Sequence, residues 1–140
     1  MIISSFVFGG VMLVMFAALT VVYLHTRPRC SDRVVAETTD PRRHWTASVM
    51  ERRCGQEAPF FTHVNIHAAG TDVQTGFFSG LATQGEVFVV EEDAISAAVS
   101  LDWSDANTLD VRCDRCTQSF LRKHDDHWGA LTIRYSLPSR

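Results

Sequence analysis

The chain has no glycine-rich phosphate loop, no serine set in a glycine elbow and no paired metalloprotease histidines on a helical pattern. No known catalytic constellation is therefore written in it, and neither a catalytic residue nor a cofactor is expected. It also lacks a basic tract. Against 13 Lys and Arg stand 16 Asp and Glu, a formal net charge of −3, which excludes the electrostatic footprint of a nucleic-acid binder. An acidic, apolar-poor run that would argue disorder is missing as well. At 140 residues there is no room for a two-domain enzyme. With a hydrophobic segment and a linker set aside, about 100 residues remain, one domain that buries a little over 60% of its unfolded surface.

The first part of the chain lacks charge altogether. From Ile2 to Leu24 no side chain is ionisable as an acid or a base except Tyr23, and only Ser4, Ser5, Gly9, Gly10 and Thr20 soften the apolar run. A helix of that length measures roughly 34 Å, against a hydrocarbon core of about 30 Å. Residues 1–25 are therefore expected to form a single-pass transmembrane helix. Tyr23 and His25 suit the headgroup layer, and Arg27, Pro28 and Arg29 end the run. A cleaved secretory signal fits less well, because Met1 to Phe6 holds no Lys or Arg and the stretch is long. A lipoprotein signal would need small apolar residues before Cys30, where Arg27, Pro28 and Arg29 stand. A buried soluble helix would need more protein around it than this chain has. Two cues on orientation oppose each other: Arg27, Arg29, Arg33, Arg42 and Arg43 favour a cytoplasmic domain, and four cysteines favour an oxidising compartment. The side of the membrane stays open at this point.

Residues 26–43 mix Arg, Asp, Thr and Pro without apolar periodicity and read as a polar stalk. From His44 onward, over 44–140, the dominant signal is period-two alternation, the mark of half-buried strands. Trp45, Ala47 and Val49 alternate with Thr46 and Ser48. Phe60, Thr62, Val64 and Ile66 alternate with Phe61, His63 and Asn65. Glu86 to Val90 has high β propensity. Val99–Trp103, Leu109–Cys113 and Leu131–Tyr135 repeat the alternation. Turn residues separate these runs at Cys54-Gly55 to Pro59, Gly70 to Gly76, Gly85, Ser104 to Asn107 and around Asp125. The expected fold is mainly β: a small antiparallel sheet or meander of about six strands, with a helical turn in Glu92–Ala98. Trp45 and Trp103 faintly echo each other as in propeller blades, but two echoes do not make the four or so blades of a propeller.

The order of several short motifs, Trp45, Cys54-Gly55, Thr62-His63-Val64-Asn65-Ile66, Gly85-Glu86-Val87-Phe88, Trp103-Ser104-Asp105 and Leu109-Asp110-Val111, resembles a family of small bacterial membrane-anchored proteins carrying a domain of unknown function. The resemblance covers most of residues 44–135. It implies an anchoring helix and a small β domain, and it implies no reaction. Cys113-Asp114-Arg115-Cys116 and the histidines after it stand outside the family pattern.

That segment is the best candidate for chemistry. Cys113 and Cys116, with His124 and His127, would supply two thiolates and two imidazoles to a tetrahedral zinc or another soft metal, although the spacings are tighter than in common fingers. A redox dithiol would want the first cysteine at a helix N-terminus, and here it ends a strand. The structural alternative is a disulfide joining Cys54 to Cys113 or Cys116, or plain buried thiols. His63 alternates outward beside Asn65 and reads as a solvated strand residue. Phe77-Phe78, between Gly76 and Gly80, would offer an apolar loop to a partner or a bilayer, or plug the end of the sheet. The function expected is a membrane-tethered, non-catalytic β domain that binds a protein or an envelope component. The rival is a metal-binding or thiol-redox protein using Cys113, Cys116, His124 and His127.

Overall fold

In the computed structural model the described residues are 2–26, 30–73 and 85–138, with side chains in the first segment from Gly10 on. The elements in order are α1 (Ile2–Thr26), β1 (Cys30–Thr39), β2 (Trp45–Cys54), β3 (Phe61–Ala68), β4 (Glu86–Val90), α2 (Ala94–Ala97), β5 (Val99–Asp105), β6 (Thr108–Cys113), a 3-10 turn (Gln118–Phe120), β7 (Leu121–His124), β8 (His127–Trp128) and β9 (Leu131–Ser136). Among the described residues no helix is long and apolar enough to cross a membrane. The described side chains of α1 cover roughly 25 Å of axis at about 1.5 Å per residue. The single-pass span expected over 1–25 thus remains an expectation from sequence.

The strands form two sheets, one of five in the order β1-β2-β3-β4-β7 and one of four in the order β5-β6-β9-β8. All six expected strands are present, and β1, β7 and β8 bring the described total to nine. Two expectations are corrected. The polar stalk over 26–43 is largely β1, paired antiparallel with β2 from Cys30↔Cys54 to Thr39↔Thr46. The meander holds for β1 to β4, but β6 and β9 pair in parallel. The residues between them, including β7 and β8, supply the long crossover that a parallel pair requires.

The core lies between the sheets. Val49, Val64, Ile66, Phe88 and Val90 of the first sheet meet Trp103, Leu109, Val111, Leu131 and Ile133 of the second, with Ala94 and Ala97 of α2 between them. Each such large side chain contributes about 2 kcal/mol on burial. Polar bonds tie the layers as well: Trp103 Nε1 donates to Thr38 O at 3.2 Å, and the Tyr135 hydroxyl lies 2.6 Å from Asp125 O and 3.0 Å from Val87 O. Burial raises the Tyr135 phenol above its usual range, and Asp125 and Asp126 add to the shift.

The other face of the first sheet is buried too. Thr46, Ser48, Arg52, His63 and Asn65 are all under a tenth exposed, so His63 is not the solvated residue its alternation suggested. Its Nδ1 faces Glu86 Oε2 at 2.7 Å. Arg52 makes a bidentate pair with Asp32, its cross-strand partner, at 2.6 and 2.7 Å. Glu51 receives Arg33 at 2.6 Å through one oxygen and the backbone N–H of Ala94 at 2.9 Å through the other. These charged pairs let a strand as polar as β1 hold the edge of the sheet.

A candidate ligand cleft between two tryptophans

The turn between β1 and β2 is built on Asp40. Its carboxylate accepts the backbone N–H groups of His44 and Trp45 at 2.7 Å each and of Arg42 at 3.0 Å. Burial acts to raise the Asp40 pKa, but the three N–H donors outweigh it and hold the carboxyl below its ordinary value. Arg43 adopts a left-handed conformation within this turn. Trp45 is thereby fixed at the first position of β2. At the far end of β3, Ala69 N donates to His44 O at 2.9 Å, and Thr71 closes on Ala68 O through both its backbone N–H and its hydroxyl. On the second sheet Trp128 sits just before the Gly129 turn between β8 and β9.

The two indoles meet edge to face, with ring centroids 5.0 Å apart. Together with Ile66, His67, Ala68, Thr71 and Asp72 they line a cleft of about 310 Å³, at the lower end of the small-molecule range. His67 Nε2 lies 2.9 Å from Ser48 Oγ, and Ser48 Oγ lies 2.8 Å from Glu37 Oε1. A carboxylate only accepts, so Ser48 gives its proton to Glu37 and the histidine donates to Ser48. With Ser48 wholly buried, this pair is a polar brace for the cleft wall and not an activated nucleophile.

Two other depressions are larger, and each is bordered by an ion pair. One, of about 530 Å³, is bordered by Asp110 and Arg134, which pair with each other at 2.7 Å. The Arg134 hydrogen bond, then that of Ser104, holds the Asp110 carboxyl below its usual value. The other, of about 990 Å³, is bordered by Cys116, Arg122 and His124, and Arg122 is paired with Glu91.

The expected ligand set is not assembled as a metal centre. Cys113 and Cys116 are joined in a disulfide, which removes both thiolates. His124 lies against Tyr135, ring centroids 5.9 Å apart. His127 is exposed and bonded to Asp126 at 2.6 Å. Among the described residues no group of three or more His, Cys, Asp or Glu side chains gathers to hold a metal. Cys54 pairs with Cys30 across the β1–β2 hairpin, not with Cys113 or Cys116 as expected. The register decides this, because Cys30 and Cys54 are directly opposite. Phe77 and Phe78 lie outside the described residues.

Trp128, His67 and Asp72 escaped the sequence reading as cleft residues. Trp45 was visible as a strand start, but its meeting with Trp128 depends on the packing of two sheets. No family model matches the chain, and no curated protein or solved structure matches it either.

Proposed function

We propose that this chain is a membrane-anchored binding module: α1 sits in lipid and the two-sheet domain presents the tryptophan cleft. One observation carries the reading. From Val11 to Leu24 the large apolar side chains of α1 are roughly half to three-quarters exposed, Leu13 at 73% and Phe16 at 71%. Water would strongly disfavour so much uncovered apolar surface, and a bilayer is the solvent that suits it. The uncharged run from Ile2 to Leu24 and the resemblance to membrane-anchored proteins agree with it. Two closed disulfides favour the oxidising side of that membrane, against the pull of Arg27, Arg29 and Arg33. Among the described residues no side-chain nucleophile is set beside a base, which favours binding over catalysis.

The test is extraction of membranes at alkaline pH, followed by an impermeant thiol reagent on intact cells before and after reduction. The chain is expected to stay with the bilayer and to label only after reduction. Recovery of the intact chain in the alkaline supernatant would refute the anchor. Labelling that requires permeabilised cells would refute the orientation.

A further inference from the structure

We infer that the Trp45–Trp128 cleft binds a methylated ammonium cation. The inference rests on the binding-module reading and names the ligand class for it. Aromatic faces carry negative electrostatic potential, and paired aromatics are the usual receptors for quaternary ammonium groups. Here two indoles stand at 90° with centroids 5.0 Å apart and both border the cleft, so the edge of one covers part of the other's face and the corner beside that contact offers a cation the remaining ring surface.

The charge of the lining agrees. Among the described lining residues Asp72 is the one acid, and there is no Lys or Arg. A cation gains from the carboxylate and an anion is repelled by it.

The hydrogen-bonding groups of the cleft narrow the choice further. His67 is engaged with Ser48 through Nε2 and lies beside Ala68 O and Thr71 Oγ1 through Nδ1. The Thr71 hydroxyl is committed to Ala68 O at 2.6 Å. A sugar, with a hydroxyl on nearly every carbon, would find neither His67 nor the Thr71 hydroxyl free to serve it. A trimethylammonium group needs none, since its charge is sheathed in methyls. The frame is also set in advance by the Asp40 turn and by the Ala69–His44 bond, so little ordering opposes binding.

The cleft is at the Thr39 end of the β1–β2 hairpin, about 30 Å along the strand from Cys30, where the chain leaves α1.

The experiment uses the full chain in nanodiscs of phosphatidylglycerol and phosphatidylethanolamine, which carry no trimethylammonium. Choline is titrated by calorimetry and tryptophan fluorescence beside its neutral isostere, 3,3-dimethylbutan-1-ol. Saturable choline binding is expected, with the isostere weaker by about tenfold. Asp72 is exposed, so Asp72→Asn leaves the fold intact and is expected to weaken choline several-fold. Trp128→Phe is expected to retain part of the binding that Trp128→Ala loses. Phosphatidylcholine vesicles form a second arm: competition with choline identifies a lipid headgroup as a source, and no competition identifies a soluble one.

Equal binding of cation and isostere, no saturable choline signal, or an unchanged Asp72→Asn would each overturn the proposal. Such a result with the chain still held in membranes at alkaline pH defeats the cleft assignment alone. Choline binding by a chain released at alkaline pH defeats the anchor alone.

Discussion

His63 and Glu86 face each other across β3 and β4, Nδ1 to Oε2 at 2.7 Å, with the histidine only 1% exposed. Because the carboxylate accepts, the bond assigns the proton to Nδ1. The other ring nitrogen, Nε2, is buried without a hydrogen-bond partner. Removing the ring should deprive the Glu86 carboxylate of its buried donor, leaving Lys123 at 3.9 Å and the charge of Arg52 to act on it. His63→Ala is expected to cost about 2 kcal/mol. His63→Asn places an amide donor near the Nδ1 position and deletes the unpartnered nitrogen, so it should cost less. Urea midpoints of the two variants decide it: equal losses would mean that the pair contributes only volume. A double-mutant cycle with Glu86→Ala should return a coupling energy of at least about 0.5 kcal/mol.

Two positions take glycine and alanine in opposite senses. Gly85 has φ +78°, and a Cβ there would stand 2.0 Å from Ile66 O, the strand that Gly85 O bonds at 2.9 Å. Gly85→Ala should therefore cost at least about 2 kcal/mol, since the obstacle is backbone. Ala98 closes α2 at φ 53°, ψ 54°, a conformation that penalises any Cβ. Ala98→Gly should gain about 0.5 kcal/mol once the entropy of glycine is deducted. Thermal melts of the two variants should move in opposite directions.

Asp40 makes stability depend on acid. Its folded pKa lies below the ordinary carboxylate value, so the unfolded chain binds the proton more readily. The contribution is complete above about pH 4, the unfolded value, and is lost as pH falls through the lower folded value. Asp40→Asn keeps one acceptor oxygen and cannot titrate. It should lower stability at pH 7 and flatten the acid limb, so the two chains converge toward pH 2. Urea midpoints that stay parallel across the range would show that Asp40 is not a source of the acid sensitivity.

Alternation located β2, β3, β5, β6 and β9 because a strand's side chains point to opposite faces whatever their neighbours are, and β propensity located β4. It misjudged which faces are wet. Ser48, His63 and Asn65 looked solvent-facing because they are polar, yet that face of the sheet is buried, with Ser48 bonded to Glu37 and His63 to Glu86. β1 was hidden for the converse reason. Exposed along nearly all its length, it buries no apolar stripe and is held by the ladder and by Asp32 and Arg33 reaching Arg52 and Glu51. β7 and β8 are too short to show a period. The cleft was legible only at Trp45, since an aromatic pair formed by β2 and β8 leaves no local spacing to read.

The two disulfides should differ in both energy and access. Cys30–Cys54 spans 24 residues of sequence and Cys113–Cys116 only 3. In the chain-entropy model the longer loop contributes about 3.5 kcal/mol and the shorter about 2 kcal/mol. The paired serine variant at Cys30 and Cys54 should therefore lower the urea midpoint more than the paired variant at Cys113 and Cys116. Access runs the same way: Cys30 is exposed at the edge of the sheet, and Cys113 and Cys116 are 0% and 6% exposed. A mild reductant applied to the folded chain should open Cys30–Cys54 first, freeing β1 where it joins α1 while the second sheet keeps its bridge. Mass spectrometry of alkylated peptides reads the order, and earlier labelling at Cys113 or Cys116 would contradict it.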